Sequence, residues 1–173
     1  HGGEVLYAMW GKVFHAMWNG DESRILTAGH DGTARVWGAK TGTELLTLSG
    51  HTGSVRQAMW NDDESRILTG SFDGTVRVWD AETGSEIITS SDFGQVLHAM
   101  WNRDESRILV TQVMGRAAIL EAETGARLLT FEPQGNIHEA IWNSDGSRIL
   151  TGGYKAAGGW DAETGVELIT LSS

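Results

Sequence analysis

The stretch SFDGTVRVWDAETG, residues 71–84, decides the fold, because a version of it occurs in each of four units of the chain. The dipeptide Asp73-Gly74 accepts the positive φ that a tight hairpin turn requires. Residues 75–79, TVRVW, alternate polar with apolar or β-branched side chains, which is the period of a strand. Thr83-Gly84 marks the next turn, and residues 86–89 are again rich in β-forming residues. The stretch and its continuation therefore predict a β-hairpin.

The tetrapeptide Ser-Arg-Ile-Leu recurs along the chain at a nearly constant distance. Its arginine is at Arg24, Arg66, Arg107 and Arg148, which are 42, 41 and 41 residues apart. The Thr-Gly turns and the tryptophan of the AMWN or AIWN motif keep the same phase. A fixed period of this size indicates a repeat architecture. We expect residues 1–173 to form a single domain whose repeats span about 11–50, 51–91, 92–132 and 133–173, with 1–10 as a surplus strand.

Each unit contains four short β-rich runs. The links between them are short and rich in Gly, Asp, Asn and Ser, and no segment shows the apolar period of a helix. We therefore expect an all-β protein with four strands in each unit.

Composition excludes several classes of protein. A net charge of −10 opposes binding to nucleic acid, because affinity for phosphate comes largely from Lys and Arg. We find no apolar run of membrane-spanning length and no signal peptide, so no membrane partner is expected. The absence of cysteine excludes disulfides and thiolate zinc sites. It also fits a reducing compartment, and we expect a cytoplasmic location.

Two motifs carry a family resemblance. A Gly-His precedes the first strand and a Trp-Asp ends the third, most completely in residues 49–80. This pattern resembles the WD40-repeat family, and the resemblance implies a β-propeller with four four-stranded blades per chain. It further implies a structural hydrogen-bonded tetrad, which by position consists of His51, Thr69, Asp73 and Trp79.

The tetrad is incomplete in the other units. Unit one offers Thr27, Asp31 and Trp37, with Met9 at the position of the histidine unless His1 serves. In unit three the four positions are occupied by Asp92, Val110, Met114 and Leu120. Unit four keeps Thr151 and Trp160 but has Pro133 and Lys155 at the other two positions. The apolar alternation persists in all four units, so we expect the fold to persist as well.

The resembled family consists mostly of non-enzymatic scaffolds that bind partners through the loops at one face of the propeller. These loops are also where the four units differ most. The residues that we expect to form a binding rim for a protein or peptide are His30, Phe72, Phe93, Met114, Tyr154 and Lys155. We expect no cofactor.

Two chemical alternatives remain weaker. His51, Asp73 and a nearby Thr are the residue types of a hydrolase triad, but a triad needs an exposed nucleophile and an oxyanion site. His15 and His98 share a position on the strand that would line the channel, where the other units have Gln57 and Glu139. Two histidines fall short of a metal coordination set. We therefore expect neither catalytic residues nor a metal.

Four blades are fewer than the family usually closes into a ring. An open arc exposes a strand edge and an apolar face, which favours association. The C-terminal ELITLSS followed by the N-terminal HGGEV also resembles ELLTLSGHTGSV at residues 44–55. We expect a homodimer that forms an eight-bladed ring, with a protein-binding or peptide-binding module as the alternative. The close similarity of the units suggests recent amplification or deliberate construction from a single blade. The presence of only one Pro and a chain that begins directly in a motif suggest an engineered protein or an excised fragment.

Overall fold

The computed structural model describes residues 12–132, 137–154 and 156–172. Within these ranges the chain forms sixteen β-strands and no helix. The first sheet contains β1 (Val13–Trp18), β2 (Arg24–Gly29), β3 (Thr33–Gly38) and β4 (Glu44–Ser49). The second contains β5 (Val55–Trp60), β6 (Arg66–Ser71), β7 (Val76–Asp80) and β8 (Glu86–Ser90). The third contains β9 (Val96–Trp101), β10 (Arg107–Gln112), β11 (Ala117–Glu121) and β12 (Arg127–Phe131). The fourth contains β13 (Ile137–Trp142), β14 (Arg148–Gly153), β15 (Ala156–Asp161) and β16 (Glu167–Ser172).

Each sheet is a blade whose four strands pair antiparallel in chain order. We number the sheets blades 1 to 4. The all-β prediction and the prediction of four four-stranded antiparallel blades are confirmed. The predicted surplus strand at residues 1–10, together with Pro133 and Lys155, lies outside the described residues. Among the described residues, no helix is long and apolar enough to cross a membrane.

The turn at Asp73-Gly74, between β6 and β7, has the backbone conformation that its sequence predicts. Gly74 has a φ of 82°, and a Cβ built there would lie 2.5 Å from the carbonyl oxygen of Phe93. Asp73 fixes the same turn, because its Oδ1 accepts a hydrogen bond from the Thr75 amide at 2.9 Å. A side chain larger than hydrogen at position 74 would therefore strain the turn and meet the backbone of the next blade.

The hydrophobic core lies between blades. Leu26 and Leu48 of blade 1 pack with Ile67 and Trp79 of blade 2, and all four are at most 2% exposed. Equivalent clusters join blade 2 to blade 3 and blade 3 to blade 4. Blades 2 and 3 are thus each stabilised by a neighbouring blade on both faces.

Candidate functional site

The predicted tetrad of blade 2 forms a continuous relay of hydrogen bonds. Trp79 Nε1 donates to Thr69 Oγ1 at 2.8 Å. Thr69 Oγ1 lies 2.8 Å from His51 Nε2, and His51 Nδ1 lies 3.0 Å from Asp73 Oδ2. With the imidazole proton on Nδ1, each donor in this relay meets an acceptor. The relay ties the loop before β5 to β6 and to the turn between β6 and β7.

At pH 7 Asp73 is the charged residue of the tetrad, and His51 is neutral. Burial alone would raise the pKa of Asp73, but hydrogen bonds from Thr75 and Thr52 and the nearby His51 lower it to about 2. Burial lowers the pKa of His51 below 6.5, against the opposing effect of the Asp73 carboxylate. His51 is therefore neutral at pH 7. Thr69 is 0% exposed, so its hydroxyl is not available to a substrate.

The remaining blades keep parts of this relay. In blade 1, Trp37 Nε1 donates to Thr27 Oγ1 at 2.9 Å, and Asp31 pairs with Arg35 at 2.8 Å. In blade 4, Trp160 Nε1 donates to Thr151 Oγ1 at 2.9 Å.

Blade 3 replaces the polar relay with apolar contacts. Val110 and Leu120 occupy the positions of Thr69 and Trp79, and both are 0% exposed in the core between blades 2 and 3. The blade therefore remains folded without the hydrogen bonds of the tetrad.

The predicted rim residues divide by exposure. Met114 and Tyr154 are 85% and 79% exposed, and Phe72 is half-buried beneath Arg56, whose guanidinium lies 5.0 Å from its ring. His30 is exposed, and its Nδ1 lies 2.7 Å from Ser54 Oγ.

Phe93 is the exception among the rim residues. It is only 9% exposed, and Arg127 covers its ring at 4.5 Å. The prediction of an exposed Phe93 is wrong, because its turn folds the ring into the core between blades 2 and 3.

The four channel positions do not assemble into a metal site. His98 Nδ1 donates to Gln57 Oε1 at 3.2 Å, and Glu139 is exposed on β13. Burial, with a smaller effect of His98, lowers the pKa of His15. Among the described residues, no group of three His, Cys, Asp or Glu side chains is placed to hold a metal.

The outer face of blade 4 exposes side chains that the other blades bury. Leu150 is 47% exposed, although its equivalents in the first three blades are at most 1% exposed, namely Leu26, Leu68 and Leu109. Leu171 is 55% exposed, whereas its equivalent Leu48 is 1% exposed. We call this surface, with Ile141 and Ile169, the blade 4 face.

Blade 1 also exposes side chains whose equivalents in blade 2 are buried. Trp18 is 54% exposed, whereas the equivalent Trp60 of blade 2 is 6% exposed and lies beneath Arg24 of blade 1. Val13 is 53% exposed, whereas the equivalent Val55 is 0% exposed. We call this surface, with Ala16, the blade 1 face. In the sequence these residues have the pattern of buried positions in every unit, so their exposure becomes visible only in the structure.

The comparison with protein families agrees with this geometry. The model of the WD domain, G-beta repeat, matches residues 4–38 and 42–80. These two matches support the assignment of the chain to the WD40-repeat family, whose members are generally non-enzymatic scaffolds that mediate protein interactions. No curated protein matches the chain.

Proposed function

We propose that the chain is a non-enzymatic WD40 scaffold that assembles with a second copy of itself. In this assembly the blade 4 face of each copy covers the blade 1 face of the other. Two half-rings then form one eight-bladed ring with two identical junctions. The exposure of Leu150, against the burial of its three equivalents, is the observation that carries the proposal.

The two faces match because they repeat the halves of an internal junction. Between blades 1 and 2, Leu26 and Leu48 meet Trp60 and Trp79 in one buried cluster. Leu150 and Leu171 are the equivalents of the first pair, and Trp18 and Trp37 are those of the second. Trp18 and Leu150 are both about half exposed, so these two faces do not cover each other within one chain.

Burial of the two faces favours association. Covering a half-exposed Leu side chain contributes about 1 kcal/mol, and Trp18 about as much or more. Leu150, Leu171, Ile141 and Trp18 each add such a contribution. Because a closed two-fold ring has two junctions, each contribution counts twice.

The test is the mass in solution by light scattering after size exclusion. We expect twice 18.8 kDa, maintained across a tenfold dilution. Leu150→Asp should yield single copies, because it would bury an unpaired carboxylate at both junctions. Leu45→Asp is the matched control, since Leu45 and its equivalents Ile87 and Leu128 are all about half exposed in every blade. A wild-type mass of one copy, or a Leu150→Asp variant of unchanged mass, would refute the proposal.

A second candidate function is favoured by Met114 and Tyr154. These large side chains lie on turns between the second and third strands of blades 3 and 4 and are almost fully exposed. Exposed Met and aromatic side chains supply contact area at protein interfaces. The candidate is a protein-binding or peptide-binding rim. Tyr154→Ala would then abolish capture of a partner without changing the mass of the scaffold, and unchanged capture would count against the rim.

The similarity of the four units, which share ESRIL three times and AETG three times, also supports an origin by amplification of one blade, either natural or engineered. A ring completed by a second copy fits that origin, because every junction is then a version of the same one.

A further inference from the structure

A glutamate in the turn between the first and second strands has an unusual backbone conformation in three of the four blades. Glu22, Glu64 and Glu105 have φ values of 59°, 60° and 58°. The left-handed region is uncommon for residues other than glycine and costs on the order of 1 kcal/mol. Its recurrence at one position indicates that the turn consistently projects this carboxylate in one direction.

The direction is toward the preceding blade. Glu64 of blade 2 accepts hydrogen bonds from Asn19 Nδ2 at 2.9 Å, from Arg24 Nη2 at 2.8 Å and from the amide of Gly20. These bonds, with that from Asn19 as the largest cause, lower the pKa of Glu64. The glutamate carboxylate of one blade thus accepts hydrogen bonds from the Asn side chain, the following backbone amide and the Arg side chain of the preceding blade. We call this set of contacts the clasp.

The contacts to the Asn and to the following amide also join blade 3 to blade 2, whereas Arg66 pairs with a different carboxylate of blade 3, that of Glu123, at 3.6 Å. Glu105 accepts hydrogen bonds from Asn61 Nδ2 at 3.0 Å and from the amide of Asp62. The clasped asparagines, Asn19 and Asn61, are only 5% and 6% exposed. The geometry is therefore a property of the junction and not of one blade.

Blade 4 departs from the pattern because Gly146 stands at the position of the glutamate. Asn102 of blade 3 then has no carboxylate partner across the junction, and its Nδ2 bonds to Ser106 Oγ within its own turn at 3.3 Å. Arg107 pairs instead with Glu163 of blade 4 at 2.6 Å. A junction without the clasp glutamate still engages the arginine of the preceding blade with a carboxylate.

Blade 1 carries the glutamate of one further clasp, and blade 4 carries the residues that such a glutamate would contact. Glu22 of blade 1 has the clasp backbone and is exposed, and blade 4 has Asn143, Ser144 and Arg148 in the positions of Asn19, Gly20 and Arg24. Asn143 and Arg148 are both exposed, although their equivalents in blades 1 to 3 are buried or half-buried.

We propose that Glu22 of one copy clasps Asn143, the amide of Ser144 and Arg148 of a second copy. This inference rests on the proposed head-to-tail dimer and identifies the charged contact that orients its two junctions. The apolar faces provide the area of contact, and the clasp selects the register in which the first-strand turn of blade 1 meets that of blade 4.

The first test removes the carboxylate. Glu22→Ala should raise the dimer dissociation constant roughly 25-fold, or about fivefold for each of two charge-assisted junctions. Arg116→Ala is the control, because Arg116 forms an exposed ion pair with Glu132 in blade 3, away from both end faces. It should leave the dissociation constant unchanged.

The second test exchanges the charges. Glu22→Arg and Arg148→Glu should each weaken the homodimer, because both junctions then bring like charges together. An equimolar mixture of the two variants should restore a dimer, because it has one wild-type junction and one junction with the charges exchanged. The mixture is read by light scattering and by native mass spectrometry of a size-tagged copy.

The outcomes separate the clasp from the dimer. A monomeric wild type would refute the proposed function. A dimeric wild type whose Glu22→Arg and Arg148→Glu variants also dimerise fully would refute the clasp alone. Two monomeric variants that do not associate when mixed would also refute it, because the two side chains would then act separately.

Discussion

Thr69→Val tests whether the tetrad of blade 2 acts as a relay. The substitution keeps the shape of a residue that is 0% exposed and removes only its hydroxyl. Trp79 Nε1, now 2.8 Å from Thr69 Oγ1, would then lack an acceptor, and His51 Nε2 would lack a donor. Each buried polar atom left unpaired costs about 1–3 kcal/mol, and two atoms are left unpaired, so we expect a loss of about 2–6 kcal/mol in the free energy of unfolding.

Thr151→Val in blade 4 is the matched control. Thr151 is 2% exposed and accepts the same bond from Trp160 at 2.9 Å, but Pro133 stands at the position of the histidine. Both threonines also donate weakly to a strand carbonyl, so that loss is common to the two variants. Among the side chains of the relay, Thr151→Val leaves only Trp160 Nε1 unpaired, so the expected loss is smaller, about 1–3 kcal/mol. Urea unfolding followed by tryptophan fluorescence, at one protein concentration, measures both losses. A Thr69→Val loss no larger than that of Thr151→Val would refute the relay.

Two further predictions concern the pH dependence of stability and the stability cost of substitutions at two predicted rim residues. Because the pKa of His51 is below 6.5 in the fold, the unfolded chain binds the proton first, and stability should fall as pH drops below 6.5. The contribution of Asp73, present above pH 3.8, is lost as pH falls toward 2. Urea midpoints measured between pH 7.5 and 5.0 should fall less steeply for His51→Gln than for wild type, and equal slopes would contradict the assignment. Phe93→Ala should cost about 3–5 kcal/mol by urea unfolding, whereas Met114→Ala should change stability by less than about 0.5 kcal/mol. Equal losses would show that Phe93 is not a core residue.

The period of the sequence predicted the blades because each unit must form the same strands. Asp73-Gly74 and Thr83-Gly84 specify their turns locally, and the alternation of residues 75–79 specifies which side chains face a neighbouring blade. The tetrad was also predictable by position, and its four side chains meet in the structure. These features depend on chemistry within one unit and its nearest neighbour.

The sequence did not predict the exposure of residues whose environment depends on another blade. Phe93 lies in a loop, where exposure is common, but the turn at Asp92 directs its ring into the core. Leu150 has the sequence context of a buried leucine, and only the three-dimensional arrangement reveals that it is about half exposed. The clasp was missed because its donors and acceptors are 40 or more residues apart and its glutamates resemble a solvated turn.

The blade 4 face is a less complete surface than its equivalents, which would make the proposed clasp more important at the proposed junction between two copies. Val36 and Val78 fill the centre of the equivalent surfaces on blades 1 and 2, but blade 4 has Gly159 at this position. The methyl group of Ile169 lies 2.8 Å from where a Cβ of Gly159 would stand, so it partly replaces the missing side chain. A flatter apolar face specifies its alignment against a partner face less strictly, because fewer side chains interlock. The charged contact of Glu22 would then decide which of several apolar alignments forms. Charge reversal should therefore weaken this junction more than the equivalent reversal weakens an internal one, where covalent linkage already holds the blades together.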